Sequence, residues 1–129
     1  MKLEGSCHCG AVRFSLESKT PYPYQRCYCS ICRKTGGDGF AINIMGLTDT
    51  MEIEGEEHTA VYRVSLSKVE GHDKDEEGKS DARRHFCKEC GSALWIYSPS
   101  WPEWIYPFAS AIATPLPEPP ERVHMMLAY

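Results

Sequence analysis

The sequence has no long apolar run, no internal repeat and no excess of positive charge, and each absence excludes a class of protein. No segment of the 129 residues approaches the roughly 20 apolar residues that a membrane span needs, so no contact with a membrane interior is expected. The N-terminus, MKLEGSCHCG, lacks the apolar core of a secretory signal, which predicts a cytoplasmic protein. A net charge of −4 argues against a nucleic-acid-binding domain with a broad basic face.

Long helical periodicity is also missing, and the remaining pattern predicts a mainly β domain with little helix. In AVRFSLE, Val12, Phe14 and Leu16 alternate with polar residues, as in a half-buried strand. AVYRVSL alternates too, and FAINIM, MEIEG, SALWIYS and WIYPFASAI are short, rich in aromatic or β-branched residues and bounded by turn signals. One short helix is expected from Ser30 to Thr35, with Ser30 as its N-cap and Gly36-Gly37 as its stop.

The length predicts a single domain over residues 1–129, because chains of roughly 100–200 residues usually fold as one domain. Two stretches depart from the strand pattern. Residues 68–84, KVEGHDKDEEGKSDARR, have almost no apolar side chains and predict an exposed insertion. Residues 114–122, TPLPEPPER, contain four prolines and predict an extended connection.

The cysteines are more informative than any other residue type. All seven fall into three close-spaced motifs, CxC, CxCxxC and CxxC, whereas buried structural cysteines would be scattered. In a reducing compartment such clusters favour metal binding over disulfides. They are Cys7, Cys9, Cys27, Cys29, Cys32, Cys87 and Cys90.

The spacing favours a division of these thiols into four and three. FCKECGS has the form of a zinc knuckle, with Gly91 where the turn needs a positive φ. Cys7 and Cys9 would share one face of a strand, so the N-terminal and late cysteines together could make a closed structural zinc site. Spacing alone leaves an alternative open, in which the CxxC pairs Cys29/Cys32 and Cys87/Cys90 form a zinc ribbon.

Three segments in order, GSCHCGAVRF, RCYCSICRKTGGDGF and RRHFCKECGSAL, resemble the glutathione-dependent formaldehyde-activating (GFA) family. The resemblance implies a β-tent fold and the activity of a carbon–sulfur lyase, S-(hydroxymethyl)glutathione synthase. It also implies two zinc ions per chain. A structural zinc would lie on Cys7, Cys9, Cys87 and Cys90, and a second zinc on Cys27, Cys29 and Cys32.

A zinc with three protein ligands keeps an open position, which is typical of a catalytic site. Cys27, Cys29 and Cys32 are therefore the predicted catalytic residues, and a small thiol such as glutathione is the predicted partner. Glutathione has two carboxylates, so we expect cationic side chains nearby. Arg33 and Lys34 are the predicted substrate-binding residues because they directly follow Cys32.

Two other functions fit the same residues. One is a non-catalytic, zinc-stabilised binding module in which both metals are structural. The other is a thiol redox or metal sensor, in which Cys27, Cys29 and Cys32 lose zinc and oxidise. The sequence also leaves the oligomeric state open, a homodimer included.

Overall fold

The computed structural model describes residues 1–37, 39–65, 78–118 and 123–125, and for residues 23–25 and 123–125 only the backbone is described. Within these ranges the chain forms two β-sheets, so the prediction of a mainly β domain is confirmed. The smaller sheet is antiparallel and contains Lys2–Ser6 (β1), Arg13–Glu17 (β2) and Glu52–Glu54 (β5), in the order β1-β2-β5.

Seven strands form the larger sheet: Thr20–Cys27 (β3), Ala41–Leu47 (β4), Thr59–Tyr62 (β6), Arg83–Cys87 (β7), Ala93–Tyr97 (β8), Trp104–Pro107 (β9) and Val123–Met125 (β10). Their order is β10-β3-β4-β9-β8-β7-β6. β10 pairs with β3 in parallel, and the other neighbours are antiparallel. Single turns of 3-10 helix cover Thr48–Thr50, Glu56–His58 and Ala109–Ala111.

The main core contains the apolar residues that alternate with polar ones in β2 and at Val12, just before this strand. Val12, Phe14 and Leu16 are 0%, 4% and 1% exposed, as the sequence predicts. Phe14 meets Trp95 of β8 edge-on, with ring centroids 5.2 Å apart. Burial of each such side chain stabilises the fold by about 1.5–3 kcal/mol. The two sheets are therefore joined through one apolar core.

A smaller cluster lies apart from this core and is built on the cysteine-rich segment. Its buried members are Cys32, Ala41 and Phe108, and Ile96 and the partly buried Cys27 pack against them. It positions the second group of cysteines, because β3, β4, β8 and helix α1 all contribute to it.

Helix α1 spans Ser30–Gly36, close to the predicted range. Its end at Gly37 is confirmed, since Gly37 has a φ of 75° in the left-handed region that glycine tolerates. The predicted N-cap is wrong. Cys29 is the N-cap, and its sulfur accepts a hydrogen bond from the backbone N–H of Cys32.

The segment AVYRVSL does not show the predicted alternation of buried and exposed residues, because its strand lies at the edge of the sheet. The strand β6 ends at Tyr62, and both Val61 and Tyr62 are nearly half exposed instead of alternating. β6 is the last strand of the sheet, so a residue on either face can meet solvent there.

The predicted insertion at 68–84 lies partly outside the described residues. Its C-terminal end is not exposed: Ser80 is buried, and Arg83 and Arg84 belong to β7. In the predicted extended connection, the described residues 115–118 form neither helix nor strand. No helix in the described parts of the chain is long and apolar enough to span a membrane.

Candidate metal centres

The first candidate centre gathers four sulfurs from two parts of the chain that are far apart in sequence. Cys7 and Cys9 follow β1, Cys87 ends β7, and Cys90 lies in the turn that follows. The four sulfur atoms lie within 4.8 Å of one another. Cys7 and Cys87 are buried in the main core, whereas Cys9 and Cys90 are exposed. The group therefore extends from the core to the turns at the surface.

These spacings fit a metal ion and exclude disulfides. The sulfur of Cys9 is 3.6 Å from that of Cys7 and 3.8 Å from that of Cys87. A disulfide needs about 2.05 Å. Four thiolates arranged tetrahedrally around an ion at about 2.3 Å would lie about 3.8 Å apart. The described cysteines are all free thiols, which gives the donor set that such an ion requires.

Local backbone geometry holds the four sulfurs in place. Gly91 has a φ of 79°, as predicted for the knuckle, and its N–H donates to the carbonyl of Cys87 over 2.7 Å. The N–H of Val12 donates to Cys7 Sγ at 3.3 Å. Cys90 Sγ lies 3.2 Å from the hydroxyl of Ser92, and this contact is the main reason that the pKa of Cys90 falls to about 5. The hydrogen bonds to the sulfurs of Cys7 and Cys90 favour the thiolate forms that bind metal.

The second candidate centre gathers three sulfurs around the start of α1. Cys27 ends β3, Cys29 caps the helix and Cys32 lies in its first turn. Their sulfur atoms also lie within 4.8 Å of one another. The structure therefore brings Cys29 and Cys32 together with Cys27, and not with Cys87 and Cys90. Among the described residues, no further cysteine, histidine or carboxylate joins the three.

The three thiols differ in acidity. Burial raises the pKa of Cys29, but the N–H of Cys32, the neighbouring thiols and the charge of Arg84 outweigh it, and the net pKa is lowered. Burial raises the pKa of Cys32 to about 12, even though Arg84 opposes the shift. Of these two thiols, Cys29 is the one whose surroundings favour the thiolate.

Arg84 lies beside the three-cysteine group, although the sequence did not predict it as a site residue. Its Nη2 atom donates to Cys32 Sγ at 3.6 Å, and within the described ranges of the chain its buried Nη1 atom has no hydrogen-bond partner. The signal was present in RRHFC, but the charged stretch before it suggested an exposed insertion. Arg33 and Lys34, the predicted substrate-binding residues, lie exposed in the last turn of α1. Their role stays a prediction.

The histidines are less closely connected with either centre. His8 is exposed between Cys7 and Cys9, and its backbone N–H donates to Ser92 Oγ. His85 stacks on Trp95 with ring centroids 5.2 Å apart, and burial lowers its pKa. The side chain of His124 lies outside the described residues.

Two cavities, of about 860 and 540 Å³, border the four-cysteine group and are both lined by Cys7 and His8. Neither is lined by Cys27, Cys29 or Cys32. A closed four-thiol group has no position left for a ligand, so the size of these cavities does not identify a reaction site.

The fold and these two groups define a class, a small β domain whose facing thiols can hold metal ions. The family model described as "Glutathione-dependent formaldehyde-activating enzyme" (GFA) matches residues 2–118, and the chain belongs to this family. The resemblance stated from the three cysteine motifs is thereby confirmed.

Two comparisons with individual proteins agree with this membership. A protein of Halomonas elongata, named "Putative glutathione-dependent formaldehyde-activating enzyme", is 56% identical over 128 residues, which cover 98% of this chain and 76% of the relative. The crystal structure of a Rhodobacter sphaeroides protein is similar with a TM-score of 0.65 and 26% identity. That similarity covers 91% of this chain and 92% of the other.

Proposed function

We propose that this protein is a zinc-dependent carbon–sulfur lyase that joins glutathione and formaldehyde to S-(hydroxymethyl)glutathione and also cleaves the product. One observation carries the proposal: three facing thiols to which no fourth protein donor is added among the described residues. The family name supports glutathione and formaldehyde as the reactants.

Zinc suits both centres because soft thiolates in tetrahedral arrangements select it. Cys7, Cys9, Cys87 and Cys90 would hold a structural ion. Cys27, Cys29 and Cys32 would hold the second ion, which would supply an open position where an incoming thiol is deprotonated. Two zinc ions per chain are expected.

The protein's own residues would then orient the thiol and balance charge. Three thiolates on a divalent ion leave a net charge of −1, and the guanidinium of Arg84 beside Cys32 offsets it. The glutathione thiol releases its proton to water, its sulfur bonds to the carbon of formaldehyde, and the π electron pair of C=O moves to oxygen. That oxygen takes a proton from water, so the proton lost by the thiol is regained and the addition is balanced. Holding the two reactants together supplies much of the acceleration.

Arg33 and Lys34 are proposed to meet the glutathione carboxylates from the exposed side of α1. Changing both to glutamine should raise KM for glutathione and leave kcat nearly unchanged, because this contact is the same in the ground and transition states. A fall in kcat at constant KM would contradict that role.

Elemental analysis and exchange kinetics test the proposal together. Protein purified under reducing conditions should contain two zinc ions per chain and accelerate exchange between free and hydroxymethylated glutathione, as followed by NMR. Cys29→Ser should keep one zinc and lose the acceleration. A wild-type protein that holds two zinc ions and does not accelerate exchange would be a binding module and not an enzyme.

A further inference from the structure

Arg84 has a buried nitrogen atom for which the described part of the chain offers no hydrogen-bond acceptor. Its Nη2 atom contacts Cys32 Sγ at 3.6 Å, whereas Nη1 is shielded from solvent and has no partner among the described residues. A buried donor left unpaired costs about 1–3 kcal/mol, and more on a charged group. A guanidinium kept in this state beside three thiols indicates that a ligand supplies the missing acceptor.

The strand determines where this guanidinium lies. Arg84 is opposite Ile96 of β8, and Ile96 packs against the small cluster that contains Cys32. Successive strand residues face opposite sides, so Arg83 points away from that cluster. Arg84 therefore belongs to the wall of the three-cysteine group, whereas Arg33 and Lys34 are on the exposed surface of α1.

The position of the free donor limits the kind of acceptor. The two Nη atoms belong to one planar fork, and one of them is already on Cys32 Sγ. An acceptor for the other must therefore lie close in space to a ligand sulfur that joins the three cysteines. The carboxylates of glutathione are many bonds from its sulfur and reach this position only if the tripeptide folds back on itself. The oxygen of formaldehyde becomes attached to the carbon that is bonded to sulfur, so it is near enough.

We propose that Nη1 of Arg84 donates a hydrogen bond to this oxygen, an inference that rests on the proposed function. As the sulfur–carbon bond forms, the electron pair of the C=O π bond moves to oxygen. The resulting alkoxide takes a proton from water, the proton released earlier by the thiol neutralises the hydroxide that is left, and Arg84 stays protonated throughout. Arg84 is thus a catalytic residue that stabilises the developing negative charge. A donor of this kind typically contributes about 10²–10³-fold to kcat.

The test compares Arg84→Met and Arg84→Lys with Arg83→Met, a matched control on the opposite face of the same strand. In the glutathione–formaldehyde exchange, Arg84→Met should lower kcat about 100-fold while KM for glutathione changes less than about threefold. Arg84→Lys keeps the charge without the fork and should be intermediate, and Arg83→Met should match the wild type. Zinc content and melting temperature verify that each variant folds. A raised KM with unchanged kcat would place Arg84 on a glutathione carboxylate and overturn the proposal.

A second measurement needs no turnover. Zinc-loaded protein is titrated calorimetrically with mercaptoacetate and with 2-mercaptoethanol, which carry a charged and a neutral oxygen group at the same distance from sulfur. Wild type should prefer mercaptoacetate about tenfold, since a charge-assisted hydrogen bond is involved, and Arg84→Met should lose the preference. A preference that is absent in wild type, or that survives in Arg84→Met, overturns the proposal. If the preference depends on Arg84 but wild type does not accelerate exchange, the anion-binding role stands and the proposed enzyme function fails.

Discussion

The backbone N–H of Cys32 donates to the sulfur of Cys29 at 3.3 Å, so one side chain is both the N-cap of α1 and a candidate metal ligand. Helix geometry and thiol geometry are therefore coupled at this residue. A substitution of Cys29 that keeps an acceptor atom removes the metal ligand but retains the helix cap, whereas one without an acceptor removes both.

Cys29→Ser and Cys29→Ala should both lose the second zinc but differ in stability. A serine oxygen can still accept the N–H of Cys32, whereas alanine cannot, and loss of a cap costs about 1 kcal/mol. Urea unfolding of the two variants, each with its structural zinc retained, measures the difference. Equal stabilities would mean that the sulfur contributes nothing as a cap.

Cys87→Ser should unfold the domain or greatly lower its melting temperature. Cys87 is fully buried in the main core, and metal binding at a closed structural site is itself folding free energy. Circular dichroism and zinc content of Cys87→Ser are compared with those of Cys29→Ser, which should stay folded. Equal unfolding of both variants would remove the distinction between a structural and an open centre.

Gly91→Ala should weaken zinc retention at the four-cysteine group, since a non-glycine residue in the left-handed region costs about 1–2 kcal/mol. Gly91 has a φ of 79°, and nothing crowds its Cα, so the backbone angle alone is responsible. The rate at which each variant releases zinc to a chelator measures this retention. Gly36→Ala is the control: Gly36 ends α1 with only an ordinary contact to Ala41, and alanine should preserve or increase stability there. Equal loss from both variants would contradict the argument.

Leu16→Ala should lower the free energy of unfolding by about 2–5 kcal/mol, because it opens a cavity in the main core. Val61→Ala on the edge strand β6 should change it by only about 0.5 kcal/mol, since Val61 is 46% exposed. Denaturant unfolding of both variants, under conditions that retain zinc, measures how much the buried face of β2 contributes to the free energy of unfolding. Similar losses would show that the core is not where the burial places it.

The sequence predicted those strands whose own residues carry a strand pattern. β2 alternates by itself, and β8 is rich in aromatic and β-branched residues. β7 was missed because its Arg83, Arg84 and His85 look like part of a charged loop, and only pairing with β6 and β8 makes them a strand. β3 was missed as well. It contains Pro21 and Pro23, and its pairing with β4 shifts register between Thr20 and Gln25.

The site was predictable to a similar degree. Motif spacing and family resemblance named the seven thiols, and the structure brings the same residues into two groups. The contact between Arg84 and Cys32 could not be predicted, because 52 positions separate the two residues and only the sheet brings them together. Local sequence instead favoured Arg33 and Lys34, which are neighbours of Cys32 in the chain but lie on the exposed helix surface.

The contact between Cys9 and Cys87 joins residues that are 78 positions apart. During synthesis on the ribosome, the N-terminal pair Cys7 and Cys9 emerges long before Cys87 and Cys90. Until Cys90 has been made, Cys7 and Cys9 therefore lack two of the thiols that complete the group. An ion that requires all four thiols could be captured only after that point, which would make metal supply a condition for a late stage of folding.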